Sequence, residues 1–293
     1  MSHGCPNLLC LFHQKKDYII GDGSYFRAND SRHIKRLKCT YCFKRFSHAT
    51  SSLAYRQKKR RLNLKVFNLL SSGVSMRRIA KILNIHRATV KRKLIYLAKK
   101  AKLNQKKFLE SLKSNPINHI QFDDLITIEH TKLKLLTVTV AVDATNRKIL
   151  AGYVGTIPSF GLIAKLSRKK YGKRKDEHQL TLKKMFEDLK LIAKPHTKFE
   201  TDEHNRYPDF IKKYFPEAQH FQYKSVRGSV VGQGELKKQA FDPIFQINHA
   251  MAMLRANISR LIRRTWNTTK CPKMLQHHID VYIHYHNSRI LLQ

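Results

Sequence analysis

Four of the five cysteines in the chain fall in two close pairs near its start: Cys5 and Cys10 in "CPNLLC", and Cys39 and Cys42 in "CTYC". Zinc takes four soft ligands in a tetrahedron, and two pairs on tight knuckles supply two each. The 28 residues between the pairs suffice for a hairpin. Residues 1–55 are therefore expected to form a zinc ribbon ligated by Cys5, Cys10, Cys39 and Cys42. The first pair, with four residues between its cysteines, has the widest usual gap. His3, His13, His33 and His48 are further ligand types in this stretch, but four cysteines leave them no vacancy. Cys271 stands alone and reads as a small apolar residue.

The chain as a whole is strongly basic, with 58 Lys and Arg against 20 Asp and Glu and a formal net charge of +38. Such a surface repels itself and calls for a polyanion, of which nucleic acid is the usual one and an anionic membrane surface the alternative. No apolar run approaches the ~18–20 residues of a membrane span. The first residues also lack the basic-then-apolar order of a secretory signal. The chain is therefore expected in the cytoplasm, associated with the nucleoid, where clustered thiols bind metal more often than they form disulfides. Its 42% hydrophobic residues are enough for packed cores.

Residues 56–102 read as a helix-turn-helix domain. "RQKKRR" is a basic connector, and Leu64, Phe67, Leu69 and Leu70 recur at helical spacing. "SSGVS" breaks that helix, and Ser75 can cap a second one. A turn at Asn84–His86 precedes a basic third helix, with Arg87, Thr89, Lys91 and Arg92 near its start, where a recognition helix meets bases and phosphates. A plain three-helix bundle with a solvated basic face is the alternative. Residues 103–118 read as a helix and linker ending near Pro116. Beyond it, alternation at Val138, Val140 and Val142 signals strands, and residues 119–293 are expected to form an α/β domain.

Within that domain "FETDEHNRYPDF" gathers four of the scarce carboxylates: Glu200, Asp202, Glu203 and Asp209. Phosphodiester transfer by two metal ions needs hard oxygen ligands that converge from neighbouring strands, and Mg²⁺ prefers such donors. Asp123 in "QFDD" and Asp202 are the candidates. Glu200 and Asp209 read as surface charges, and Asp143 as an ordinary turn residue.

The order of ribbon and helix-turn-helix, followed by "QFDD…VAVDATNRKILAGYV…ETDEHNRYPDF…GQGELKK…INHAMAMLRANISRLIRRTW", resembles bacterial insertion-sequence transposases of the DDE type over nearly the whole chain. The resemblance implies a ribonuclease H-like catalytic domain with C-terminal helices, Mg²⁺ or Mn²⁺ in its site, and Asp123 and Asp202 as the first two ligands. It implies a third ligand on a C-terminal helix, at Asn248, with Arg255 two turns on. Glu235, at a spacing also common in the family, is the competing candidate. Asparagine departs from the strict acidic triad, so a DNA-binding regulator without catalysis stays open as the alternative, and a repair nuclease more weakly. The stretch Arg255–Arg264, with Arg260, Arg263 and Arg264, reads as a basic helix along phosphates. Trp266 would anchor it. His277, His278, His284 and His286 read as spread around a helix surface. The implied partner is double-stranded DNA, both element ends and target, bound by a homodimer or higher oligomer, with no membrane involved.

Overall fold

The computed structural model describes residues 4–28, 31–50, 52–224, 242–262 and 267–290. The chain divides into two compact units, residues 1–66 and 67–293.

The first unit is built on a three-stranded antiparallel sheet, β1 (Ile19–Arg27), β2 (Arg32–Cys39) and β3 (Arg45–Ser47), in that order. Cys39 ends β2 opposite Ile19. The chain then reverses through Phe43, whose φ of 56° lies in the left-handed region, and the Cys39 N–H donates to Lys44 O at 3.1 Å. Cys5, Cys10 and Cys39 are buried together, with Phe12, Ile19 and Cys42 packed against them.

Helix α1 (Asn63–Ser71) crosses the division, and α2 (Met76–Ile82) and α3 (Arg87–Leu112) follow. Ser75 caps α2 by accepting the Arg78 N–H on its Oγ. His86 caps α3, its Nδ1 accepting the Ala88 N–H at 3.2 Å. Between them Asn84 takes a left-handed φ of 47°, which tightens the turn. Val90, Leu94, Leu97, Ala98 and Ala101 form the buried stripe of α3, while Arg87, Lys91 and Arg92 stay exposed.

The helix expected at the start of 103–118 is the second half of α3, and only a short connection separates it from the sheet. α3 runs unbroken to Leu112, and β4 begins at Ile117. The second half of α3 continues because it has its own docking partners. Leu109 is buried in the core, and Gln105 Nε2 donates to the carbonyls of Ile149 and Leu150 at 3.1 and 2.9 Å.

The core of the second unit is a five-stranded mixed sheet of β4 (Ile117–Glu129), β5 (Thr131–Asp143), β6 (Ile149–Ile157), β7 (Ala193–Asp202) and β8 (Gln219–Tyr223), in the order β6-β5-β4-β7-β8. β4, β5 and β6 form an antiparallel meander, and β7 and β8 run parallel to β4. Asp143 makes the expected turn after β5, accepting from the Thr145 N–H and Asn146 Nδ2. Helices α4 (Ala164–Tyr171), α5 (His178–Leu189), α6 (Tyr207–Tyr214), α7 (Phe245–Asn257) and α8 (Pro272–Ile290) complete the unit.

Strand alternation sends Leu125, Leu136, Val138, Val140 and Val142 to one face, against α7 and α8. Ile120, Phe122, Ala141 and Leu150 go to the other, against α5 and α6. The outer edge of β6 is closed by side chains rather than by another strand. Asn287 pairs with both the N–H and the carbonyl of Ile149. Gln276 takes the Val154 N–H and donates to Gly152 O, both at 2.8 Å. Glu177 does the same at Thr156.

Candidate active site and metal-binding cysteines

The pairing of β4 with β7 sets the site. The two strands run parallel, with Ile120 beside Phe199 and Gln121 beside Glu200. Two residues further along both strands, on the same face, this register brings Asp123 alongside Asp202. Loss of solvation pushes the Asp123 carboxyl up to about 8, and the charge of Asp202 adds to the shift. Asp202 is also raised, mainly by burial. Its Oδ1 accepts the His204 N–H at 3.1 Å.

The next residue, Asp124, points to the opposite face and behaves in the opposite way. Burial alone would raise its carboxyl. The hydrogen bond with His178 and the hydroxyls of Thr139 and Thr137 outweigh that and hold it low. His178 Nε2 lies 2.5 Å from Asp124 Oδ2, and Thr137 and Thr139 donate to Oδ1 at 2.7 and 2.6 Å. Arg206 Nη1 lies 3.1 Å from His178 Nδ1. An arginine only donates, so Nδ1 accepts and Nε2 carries the proton given to Asp124. Tyr207, wholly buried at the start of α6, donates to Asp124 Oδ2 at 2.8 Å and reaches Asp123 Oδ1 at 3.5 Å. The sequence reading did not single out His178 or Tyr207; the "YP" of "RYPDF" was the available signal for the tyrosine.

Gln121, only 3% exposed, connects this pair of strands to α7. Its Nε2 donates to Glu200 Oε2 at 2.7 Å and to Pro243 O at 3.0 Å, and its Oε1 accepts the Ile247 N–H at 3.0 Å. Glu200 is therefore not the surface charge expected. It is 4% exposed and is also bound by His119 at 2.7 Å and Lys198 at 2.5 Å. Burial works against its ionised form, but these partners hold its pKa low. Asp209 is exposed, as expected. Asn248 follows Ile247, and its Nδ2 donates to Asp242 Oδ2 at 2.9 Å, which leaves its Oδ1 as the side-chain acceptor.

Of the expected DNA-contacting residues, Arg87, Lys91 and Arg92 are exposed, and Thr89 and Arg255 are half-buried. The expected basic helix Arg255–Arg264 is shorter than that: α7 stops at Asn257, and Arg260 sits in the following turn with Nη1 donating to Thr268 O at 2.9 Å. Glu235, Arg263, Arg264 and Trp266 lie outside the described residues. The C-terminal histidines are not spread over the surface. His278 and His286 are buried, and burial, with the nearby charge of Arg260, pushes His278 down to about 3.

The four cysteine sulfurs lie within 4.8 Å of one another, with Cys5 and Cys42 3.4 Å apart and Cys10 and Cys39 4.0 Å apart. Sulfurs ~2.3 Å from a tetrahedral zinc are ~3.8 Å from each other, so the cluster could bind a metal such as zinc. Burial pushes Cys5 up to about 12, while a bond from the Lys44 N–H holds Cys42 down at about 6. Among the described residues no other group of three or more His, Cys, Asp or Glu ligands comes so close together. Among the described residues no helix is long and apolar enough to cross a membrane. No protein-family model and no curated protein matches the chain.

Proposed function

We propose that the chain is a DDE-type insertion-sequence transposase in which asparagine replaces the third acid. The observation that carries this reading is the lateral pairing of Asp123 and Asp202 on neighbouring parallel strands, on the face covered by the helix of Asn248. The sheet, an antiparallel meander continued by two parallel strands, agrees with the ribonuclease H-like domain that the resemblance implies. Asp123, Asp202 and the Asn248 carbonyl would hold Mg²⁺ or Mn²⁺. The donor set is hard oxygen, and the mutual repulsion that raises Asp123 is what a cation relieves. When bound, the metal supplies activation of the attacking oxygen and stabilisation of the leaving one. The chain itself orients the site. Tyr207 and the His178–Asp124 pair fix the stretch of β4 that carries Asp123, and Gln121 fixes α7 against it. The four cysteines hold a structural zinc, and the helix-turn-helix binds the element ends. Two ends cut in concert require at least a dimer on DNA.

Asp202→Asn keeps size but removes charge. Strand transfer of a pre-cut end should fall by several orders of magnitude, with end binding and melting temperature near wild type. Transfer at the wild-type rate would overturn the catalytic reading. A DNA-binding regulator without catalysis is the second reading, favoured by the absence, among the described residues, of three carboxylates close enough together to share a metal.

A further inference from the structure

A pocket of about 270 Å³ opens beside the end of β4. Its charged lining residues are Lys132, Arg255 and Arg260, with Thr127, Asn267 and Thr268 adding polar groups and no carboxylate among them. The volume suits a compact group and is below that of most cofactor sites. Arg260 is held in place by its bond to Thr268 O. Two further cations bear on it from the helix-turn-helix, Arg77 on α2 and Arg87 at the start of α3. Together with burial they hold its pKa below the usual arginine range. The docking that brings them near is specific. The Gly73 N–H donates to Asn257 O at 2.8 Å. Gly73 has a φ of +73°, and any Cβ there would lie 3.1 Å from Ala256 O, so only glycine fits the approach comfortably. His278, kept neutral by burial and by Arg260, supplies no counter-charge. The pocket thus gathers three cationic side chains with no carboxylate in its lining, a setting that favours an anion.

We propose that this pocket seats one backbone phosphate of double-stranded DNA, with Arg260 as the central contact and Lys132 and Arg255 at its sides. A single phosphate position is then gripped by the end of α7, the turn that follows it and the start of β5. The inference rests on the DNA-binding part of the function proposed above and not on catalysis.

The test is a neutral-phosphate scan. The full chain is titrated with duplexes that each carry one methylphosphonate, moved position by position. In wild type, neutralising one particular phosphate should lower affinity several-fold. In Arg260→Gln that position should no longer matter, the other positions should keep their effects, and the slope of log affinity against log salt should be shallower by about 1. Lys132→Gln, at an exposed residue, should weaken the same position in part. It decides the matter if Arg260→Gln does not fold, since an unchanged Lys132→Gln profile then overturns the proposal. An Arg260→Gln profile identical to wild type overturns the pocket assignment and leaves the DNA reading intact. Pyrophosphate that binds wild type but not Arg260→Gln, with DNA profiles unchanged, gives the pocket to a small phosphate compound and overturns it too. A wild-type chain with no DNA affinity overturns both.

Discussion

Gln121 Nε2 lies 2.7 Å from Glu200 Oε2, and the other end of the same amide takes the Ile247 N–H at 3.0 Å. One buried side chain therefore ties β4, β7 and α7 together, the three elements that carry Asp123, Asp202 and Asn248. Gln121→Leu keeps the volume but leaves the Ile247 N–H, Pro243 O and part of Glu200 without partners. Each orphaned group costs about 1–3 kcal/mol, so a loss of about 2–6 kcal/mol is expected in denaturant unfolding. Mn²⁺ affinity, measured where the variant is fully folded, should fall by about 10–100-fold, as for other residues that orient metal ligands. A variant that loses stability and keeps wild-type Mn²⁺ affinity would reduce Gln121 to a packing role.

Asp123 gives a pH signature. Its folded pKa is raised to about 8, above its unfolded value, so the native state binds the extra proton. Stability from this group is present below the unfolded pKa and is lost as pH rises towards about 8. In metal-free buffer wild type should lose up to about 1 kcal/mol per pH unit across that window relative to Asp123→Asn. Added Mg²⁺ should remove the difference. Parallel pH profiles for the two proteins in chelator would contradict the assignment.

The cysteine cluster should carry one zinc per chain. Metal analysis of purified protein checks this, and Cys39→Ser should lose the metal and unfold the first unit, since zinc binding and folding are coupled in such small domains. Folded protein free of zinc would sink the idea.

Gln105 is the joint between α3 and the sheet. Gln105→Ala removes its bonds to Ile149 O and Leu150 O and its acceptance from Asn287, and should cost about 1–3 kcal/mol. Circular dichroism during thermal unfolding reads the change. No loss would mean that the helix is held by apolar contacts alone.

What could be read from the sequence was local. The capping serine, the paired cysteines and the alternating valines mark their elements directly, because each pattern follows from backbone geometry within a few residues. What escaped was long-range. Helical spacing cannot show that Lys102–Leu112 finds a partner across β6, so a docked helix reads as part of a helix and linker. Glu200 reads as a surface charge because its partners, Gln121 and His119, lie about eighty positions away in the chain and meet it only through strand pairing. His178 gave no signal for the same reason, its partner Asp124 being 54 positions away.

The closed edge of β6 limits how copies of the chain can meet. Gly152 O, Val154 N–H and Thr156 N–H are already taken by Gln276 and Glu177, so a neighbouring molecule that drew alongside would find no backbone groups to pair with. Where these groups are taken, the edge resists strand-to-strand pairing with a neighbouring chain. Gln276→Ala would expose only the Val154 N–H and Gly152 O to such pairing, with Asn287 and Glu177 still closing the edge on either side.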